Sequence, residues 1–111
     1  MNNDLSIIGR FWIKSGDKNY LGEGRVQLLR RIQATGSISQ AAKDMGMSYK
    51  AAWDDVDAMN NLSETPLVVR STGGKRGGGT SLTPAGVEIL AYYDRLQAIF
   101  DEFIVRMNES M

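Results

Sequence analysis

The spacing of apolar residues changes several times along this chain, and each change marks a new element. From Ile7 to Lys14 the residues are β-branched and aromatic, with Phe11 and Ile13 on one face and Arg10, Trp12 and Lys14 on the other. That alternation predicts a strand turning near Ser15-Gly16-Asp17. After Gly22-Glu23-Gly24 the period lengthens: Val26, Leu29 and Ile32 (or Leu28 with Ile32) predict a helix from about Arg25 to Ala34, ended by Gly36. Two short helices follow, joined at Gly46. In the second, from about Tyr49 to Asn61, an inward stripe of Tyr49, Ala52, Trp53, Val56 and Met59 leaves Lys50, Ala51, Asp54, Asp55 and Asp57 outward. Beyond Thr65-Pro66 the runs Leu67–Ser71 and Thr80–Thr83 read as paired strands around a glycine-rich loop. Thr83-Pro84 then opens a last helix that can reach Asn108, roughly 35 Å at 1.5 Å per residue. Its Ile89, Tyr93, Leu96, Phe100, Phe103 and Met107 recur at alternating spacings of 4 and 3, a heptad-like seam widened by Ile99 and Ile104.

The segment from Gly36 to Trp53 has the layout of a helix-turn-helix. Ser37 can cap the first helix, Ala41 and Ala42 let a second helix pass close, Gly46 supplies a left-handed turn, and Ser48 caps the second helix. A plain helical hairpin lacks a reason for all four at this spacing. The strand–loop–strand that follows is the β-wing of a winged helix, with Lys75 and Arg76 at its tip between glycines. A phosphate loop would need its lysine after the last glycine and a helix next, and neither holds. The expected fold is therefore mainly α with a small β-wing: a winged helix-turn-helix with a long C-terminal dimerisation helix. One domain is expected over residues 1–111, divided into a DNA-binding core at about 20–83 and the long helix at about 84–108. The first half of that helix packs on its own domain. The second half would leave Phe100, Phe103 and Met107 exposed unless a second copy covers them.

Composition narrows the chemistry. The chain has no cysteine and no histidine, which removes disulfides, the usual zinc ligands and the commonest general base. No nucleophile–base pair or metal set is visible, so no enzyme activity is expected. The start Met1-Asn2-Asn3-Asp4 has no signal-sequence character and no run approaches a membrane span, so a cytoplasmic protein is expected, with no membrane partner. Net charge is zero, but the charges are segregated. Arg25, Arg30, Arg31, Lys43 and Lys50 stand against the single acid Asp44, and Arg70, Lys75 and Arg76 follow with no acid between them. Acids gather at Asp54, Asp55 and Asp57 and near the C-terminus. Such a chain can bind DNA with fewer phosphate contacts than a basic one.

Several of these segments carry a resemblance. Gly22-Glu23-Gly24-Arg25, Gly36-Ser37-Ile38-Ser39 with Ala41-Ala42, and Met47-Ser48-Tyr49-Lys50-Ala51-Ala52-Trp53 resemble the N-terminal domain of the ModE family of molybdate-responsive bacterial regulators. So do Val56-Asp57-Ala58-Met59-Asn60, Arg70-Ser71-Thr72-Gly73-Gly74-Lys75 with Gly77-Gly78-Gly79, and Leu82-Thr83-Pro84-Ala85-Gly86. The match covers about residues 20 to 96, and the glycine-rich wing is its most distinctive part. The helix-turn-helix alone would also suit the related LysR-type domains. The resemblance implies a dimeric winged helix-turn-helix on palindromic promoter DNA. Full-length family members carry C-terminal molybdate-binding domains, whereas this sequence ends at Met111 with no segment corresponding to that oxyanion pocket. The expectation is a stand-alone form with no molybdate site visible and no cofactor.

The resulting expectation is a sequence-specific transcriptional regulator bound to double-stranded DNA as a homodimer. Ser48, Tyr49, Lys50 and Ala51 would face the major groove: Lys50 reading guanine or holding a phosphate, Tyr49 or Ala51 touching a thymine methyl. Ser37 and Ser39 would offer donors to phosphate, and Lys75 and Arg76 would reach the flanking backbone phosphate or the minor groove, the alternative being a merely flexible hairpin tip. Asp54 and Asp55 must tilt away from DNA or pair with Lys or Arg. Trp53 reads better as a core anchor than as a base contact. Tyr93, Leu96, Phe100, Phe103 and Met107 would form the dimer seam. The competing expectation is a winged-helix module that binds a protein and has no specific DNA target, which the zero net charge and the acids around Asp54 favour.

Overall fold

The computed structural model describes residues 4–71 and 79–111. In order along the chain it comprises β1 (Ile13–Ser15), β2 (Lys18–Leu21), α1 (Glu23–Thr35), α2 (Ile38–Asp44), α3 (Tyr49–Asn61), β3 (Val68–Ser71), β4 (Gly79–Leu82) and α4 (Pro84–Glu109). The strands form two antiparallel hairpins, β1–β2 and β3–β4. Helices α1, α2 and α3 enclose the core with β2 and the β3–β4 wing. At its centre Leu28, Leu29, Ile32, Ala41, Ala52, Val56 and Met59 lose essentially all contact with solvent. The alternative stripes anticipated for α1 are both used, since Val26, Leu28, Leu29 and Ile32 are all buried. Gly36 ends α1 in the left-handed conformation (φ 68°), its amide returning to the Ile32 carbonyl.

The first strand is shorter than its sequence pattern suggests. Ladder pairing begins at Ile13, not Ile7, and a register shift falls between Ile13 and Lys14. Residues 5–12 instead run extended beside α4. There the Ile7 amide donates to Asn108 Oδ1 (2.7 Å), and Asn108 Nδ2 donates back to the Ile7 carbonyl (3.0 Å). Phe11 stacks on Tyr93 at 5.1 Å between ring centroids and lies 5.2 Å from Phe100. Gly9 permits this close approach, because a Cβ there would meet the Phe100 ring at 3.1 Å. The alternation of Phe11 and Ile13 against Arg10, Trp12 and Lys14 survives, but its apolar side faces α4 and the core, not a long sheet.

The N-terminal end of α4 is capped by Thr83, whose hydroxyl accepts from the Gly86 amide, with Pro84 in the first turn. Gly86 sits against the wing: a Cβ there would stand 2.3 Å from the Leu67 carbonyl oxygen. The 26 residues of α4 give it a length of about 39 Å. The radius of gyration is 16.9 Å, against about 13 Å for a compact chain of this length. The second half of α4 thus projects from the domain. Its seam is partly covered by the chain itself: Tyr93 is buried beneath Phe11, and Leu96, Phe100 and Met107 are half-buried. The anticipated exposure of Phe100 and Met107 is thereby reduced, because the N-terminal segment supplies apolar cover that periodicity within α4 could not reveal. Phe103 remains exposed, as do Ile99 and Val105.

Candidate nucleic-acid interface

The turn between α2 and α3 is built from local hydrogen bonds. Ser37 Oγ accepts from the Gln40 amide (3.1 Å), and Ser48 Oγ accepts from the Ala51 amide (3.0 Å), so both anticipated caps are in place. Gly46 takes the left-handed conformation (φ 66°). Around it the Gly46 amide donates to the Lys43 carbonyl and the Met47 amide to the Ala42 carbonyl. Ala41, Ala42 and Ala52 are buried where α2 crosses α3, a packing that larger side chains would hold apart.

This turn leaves the N-terminal end of α3 in solvent. Ser48, Tyr49, Lys50 and Ala51 are all exposed there, on consecutive positions of one helical turn. Tyr49 departs from the inward stripe assigned to it and is 53% exposed. It occupies the first helical position, beyond the reach of α2, and only its edge-on approach to Trp53 (6.4 Å) follows the stripe. Ser39 is exposed in the first turn of α2, while Ser37 is half-buried and its oxygen is engaged in the cap. Lys75 and Arg76 lie outside the described residues.

The acids that would oppose DNA are paired. Lys50 Nζ lies 2.8 Å from Asp54 Oδ2, and Arg25 Nε lies 3.3 Å from Asp55 Oδ1. The hydrogen bond it donates to Asp54, and then the charge of that carboxylate, hold the Lys50 ammonium above the ordinary lysine range. Both Lys50 and Asp54 are open to solvent, so the ammonium can exchange this partner for another anion at small cost. Arg25 is more fixed. It also donates to the carbonyls of Asn19 (2.7 Å) and Tyr20 (3.1 Å), tying β2 to α3. Arg30 pairs with Asp94 of α4, so it also serves the fold.

Two residues outside the anticipated set join α3 to the wing. Asn60 Oδ1 accepts from the amides of Leu67 (2.8 Å) and Val68 (3.3 Å), while its Nδ2 donates to the Val68 carbonyl (3.0 Å). The Arg70 guanidinium lies over the Trp53 ring, 3.9 Å from its centroid. Trp53 is half-buried, so it is a core anchor on one side and a platform on the other. An asparagine near a helix end and an arginine on the solvent face of a strand are visible in sequence, but which backbone or ring each meets is not. Among the described residues no three Asp or Glu side chains gather as metal ligands, and no helix is long and apolar enough to cross a membrane.

Comparison with known proteins places this geometry. The model for bacterial regulatory helix-turn-helix proteins of the lysR family matches residues 24–87. The molybdenum transport protein ModE of Azotobacter vinelandii is 47% identical over 91 residues, 82% of this chain and 34% of that protein. The DNA-binding transcriptional dual regulator ModE of Escherichia coli K12 is 49% identical over 87 residues, 78% of this chain and 33% of that protein. The chain therefore spans about a third of the length of these curated relatives. Among solved structures, Streptococcus pneumoniae FabT in complex with DNA superposes with a TM-score of 0.53 at 18% identity, covering 78% of this chain and 61% of that one. At that identity the likeness concerns the fold, a winged helix-turn-helix.

Proposed function

The chain belongs to the lysR family of bacterial regulatory helix-turn-helix proteins, and from that premise we propose that it is a transcriptional regulator binding palindromic promoter DNA as a homodimer. The observation that carries this reading is the bare N-terminal end of α3, where Ser48, Tyr49, Lys50 and Ala51 project past a capped, close-packed turn. A recognition helix enters the major groove by that end. Lys50 leaves Asp54 to donate to guanine O6 and N7, and Tyr49 or Ala51 covers a thymine methyl. Ser39 and the start of α2 meet the backbone, with Ser37 fixing that start as its cap, and Lys75 and Arg76 grip the flanking phosphates. The names of the ModE relative from E. coli and of the FabT complex support DNA as the ligand.

A second copy pairs through the outer half of α4. Ile99 and Phe103 are 66% and 57% exposed, and with Phe11, Leu96 and Phe100 they line an apolar depression of about 380 Å³. Burying such a surface against its twofold mate removes it from water and sets two α3 helices at the spacing of two half-sites. The protein-binding alternative keeps the zero net charge but loses part of its acidic face, since Asp55 is paired with Arg25 within the fold.

Selection of bound sequences from a random duplex library, followed by anisotropy titration of the winner, tests the proposal. An inverted repeat bound far more tightly than scrambled DNA is expected. Absence of enrichment, with only weak salt-sensitive binding, would refute it. Lys50→Ala should relax the sequence preference at one position and cost about 1–3 kcal/mol of binding, as base-reading contacts do.

A further inference from the structure

We propose that Arg70 is a DNA-phosphate contact held in position by Trp53, an element of the interface distinct from the recognition helix and the wing tip. The inference rests on the DNA-binding reading above. Arg70 lies on β3, opposite Thr80 in the wing ladder, and the strand leads through Ser71 into the glycine-rich stretch 72–78. Its backbone is therefore fixed by the hairpin and its side chain by the ring. The guanidinium carbon sits 3.9 Å from the Trp53 centroid, within the range of a cation–π contact.

Three observations taken together set this arginine apart. First, among the described residues Arg70 has no carboxylate partner, a state it shares with Arg31, Lys43 and Arg95 but not with Arg10, Arg25, Arg30, Lys50 and Arg106, which each face one. Asp54, adjacent to Trp53 in the helix, is occupied by Lys50. Second, Arg70 is exposed, and stacking uses only the face of its guanidinium. The N–H groups around the edge stay available for a forked contact with phosphate oxygens. Third, Trp53 belongs to the exposed end of α3 through its edge contact with Tyr49 at 6.4 Å. Tyr49, Trp53 and Arg70 thus form a continuous row from the recognition helix to the wing. The Trp53 Nε1 is buried without a hydrogen-bond partner among the described residues. Packing and stacking, not hydrogen bonding, therefore set the pose of the ring.

Loose cations pay conformational entropy when they bind phosphate, whereas a stacked guanidinium has paid part of it in the free protein. Arg70 is then a contact residue and Trp53 a positioning residue. The charge sits on the wing strand beside α3, where the DNA backbone must run if helix and wing touch one duplex.

Anisotropy titrations of the full chain on its selected duplex and on a scrambled duplex, at several salt concentrations, test this. Arg70→Ala should weaken both by about tenfold and reduce the slope of log K against log salt by about 0.9 per protomer. Lys14→Ala, an exposed cation on β1, should change neither. Trp53→Leu should weaken binding in the native background but add little in the Arg70→Ala background, a coupling that mere loosening of the core would not produce. Trp53→Phe keeps a platform and should recover most of the affinity, and urea midpoints verify that each variant folds. Unchanged affinity and slope for Arg70→Ala would overturn the inference while leaving the DNA-binding reading intact. A loss confined to one base position would also overturn it, by making Arg70 a base reader. Failure of the native chain to bind any duplex would sink the DNA-binding reading itself, and this inference with it.

Discussion

Replacing Asn60 by alanine should detach the start of the wing from the recognition helix, and the structure sets the size of the effect. The side chain makes three hydrogen bonds to β3 and the residue before it: 2.8 Å and 3.3 Å from the Leu67 and Val68 amides, and 3.0 Å to the Val68 carbonyl. Leu67 and Val68 are 2% and 3% exposed, so water replaces these partners poorly. A net hydrogen bond is worth about 0.5–1.5 kcal/mol, and a stranded buried amide costs about 1–3 kcal/mol. Discounting the 3.3 Å bond as weak and allowing some relaxation of the chain around Pro66, the loss should be about 2–4 kcal/mol. Urea unfolding followed by circular dichroism measures it as a drop in midpoint at unchanged slope. Asn60→Asp offers a second arm. It keeps an acceptor for both amides but sets a carboxylate against the Val68 carbonyl, so its deficit relative to the native chain should shrink as that carboxylate protonates. A loss below about 1 kcal/mol for Asn60→Ala would refute the claim that this side chain joins the two elements.

Phe103→Asp should leave the monomer fold intact, because the side chain is 57% exposed, and should convert a dimer to a monomer by sedimentation; an unchanged mass would exclude this face as the interface. Asp54→Asn frees Lys50 and removes a negative charge from α3. Its DNA affinity should rise several-fold at low salt, an advantage that fades as salt increases; a fall in affinity would mean that Asp54 orients Lys50 for binding. Burial, and then the charge of Glu23, raise the Tyr93 phenol above its ordinary value of 10.0, favouring the neutral form in the fold. Above that ordinary value the unfolded chain loses a proton that the native state retains, so stability falls as pH rises through the folded pKa. Tyr93→Phe should show a shallower alkaline decline in urea midpoint than the native chain, and an identical decline would exclude this contribution.

The features legible in sequence are those whose physics is local. Ser37, Ser48 and Thr83 cap helices because a side-chain oxygen a few bonds away reaches the unpaired amides, whatever surrounds them. Gly36 and Gly46 turn left-handed for the same short-range reason, and the apolar stripe of α1 requires only one buried face. The pairing of Asp54 was also within reach, since Lys50 lies one helical turn away. Tyr49 marks where this logic stops. Its place in the stripe is right, but whether a stripe is covered depends on how far the neighbouring helix extends, and α2 ends too soon.

Everything joining distant parts of the chain was decided by the tertiary structure. Residues 5–12 lie along α4 because Phe11 finds Tyr93 and Phe100, and because Asn108 satisfies both polar groups of Ile7. Periodicity counts apolar residues within an element and contains no term for cover from a hundred residues away, so the seam of α4 looked barer than it is. In the same way Arg25 and Arg70 are alike as basic residues in the sequence, yet the fold gives one a carboxylate and two backbone partners and the other an aromatic face. The sequence alone determined which helix presents its end to a partner. Which cations remain to meet that partner depended on where the folded chain put the acids, because a charge is silenced by its neighbours in space and not by those in sequence.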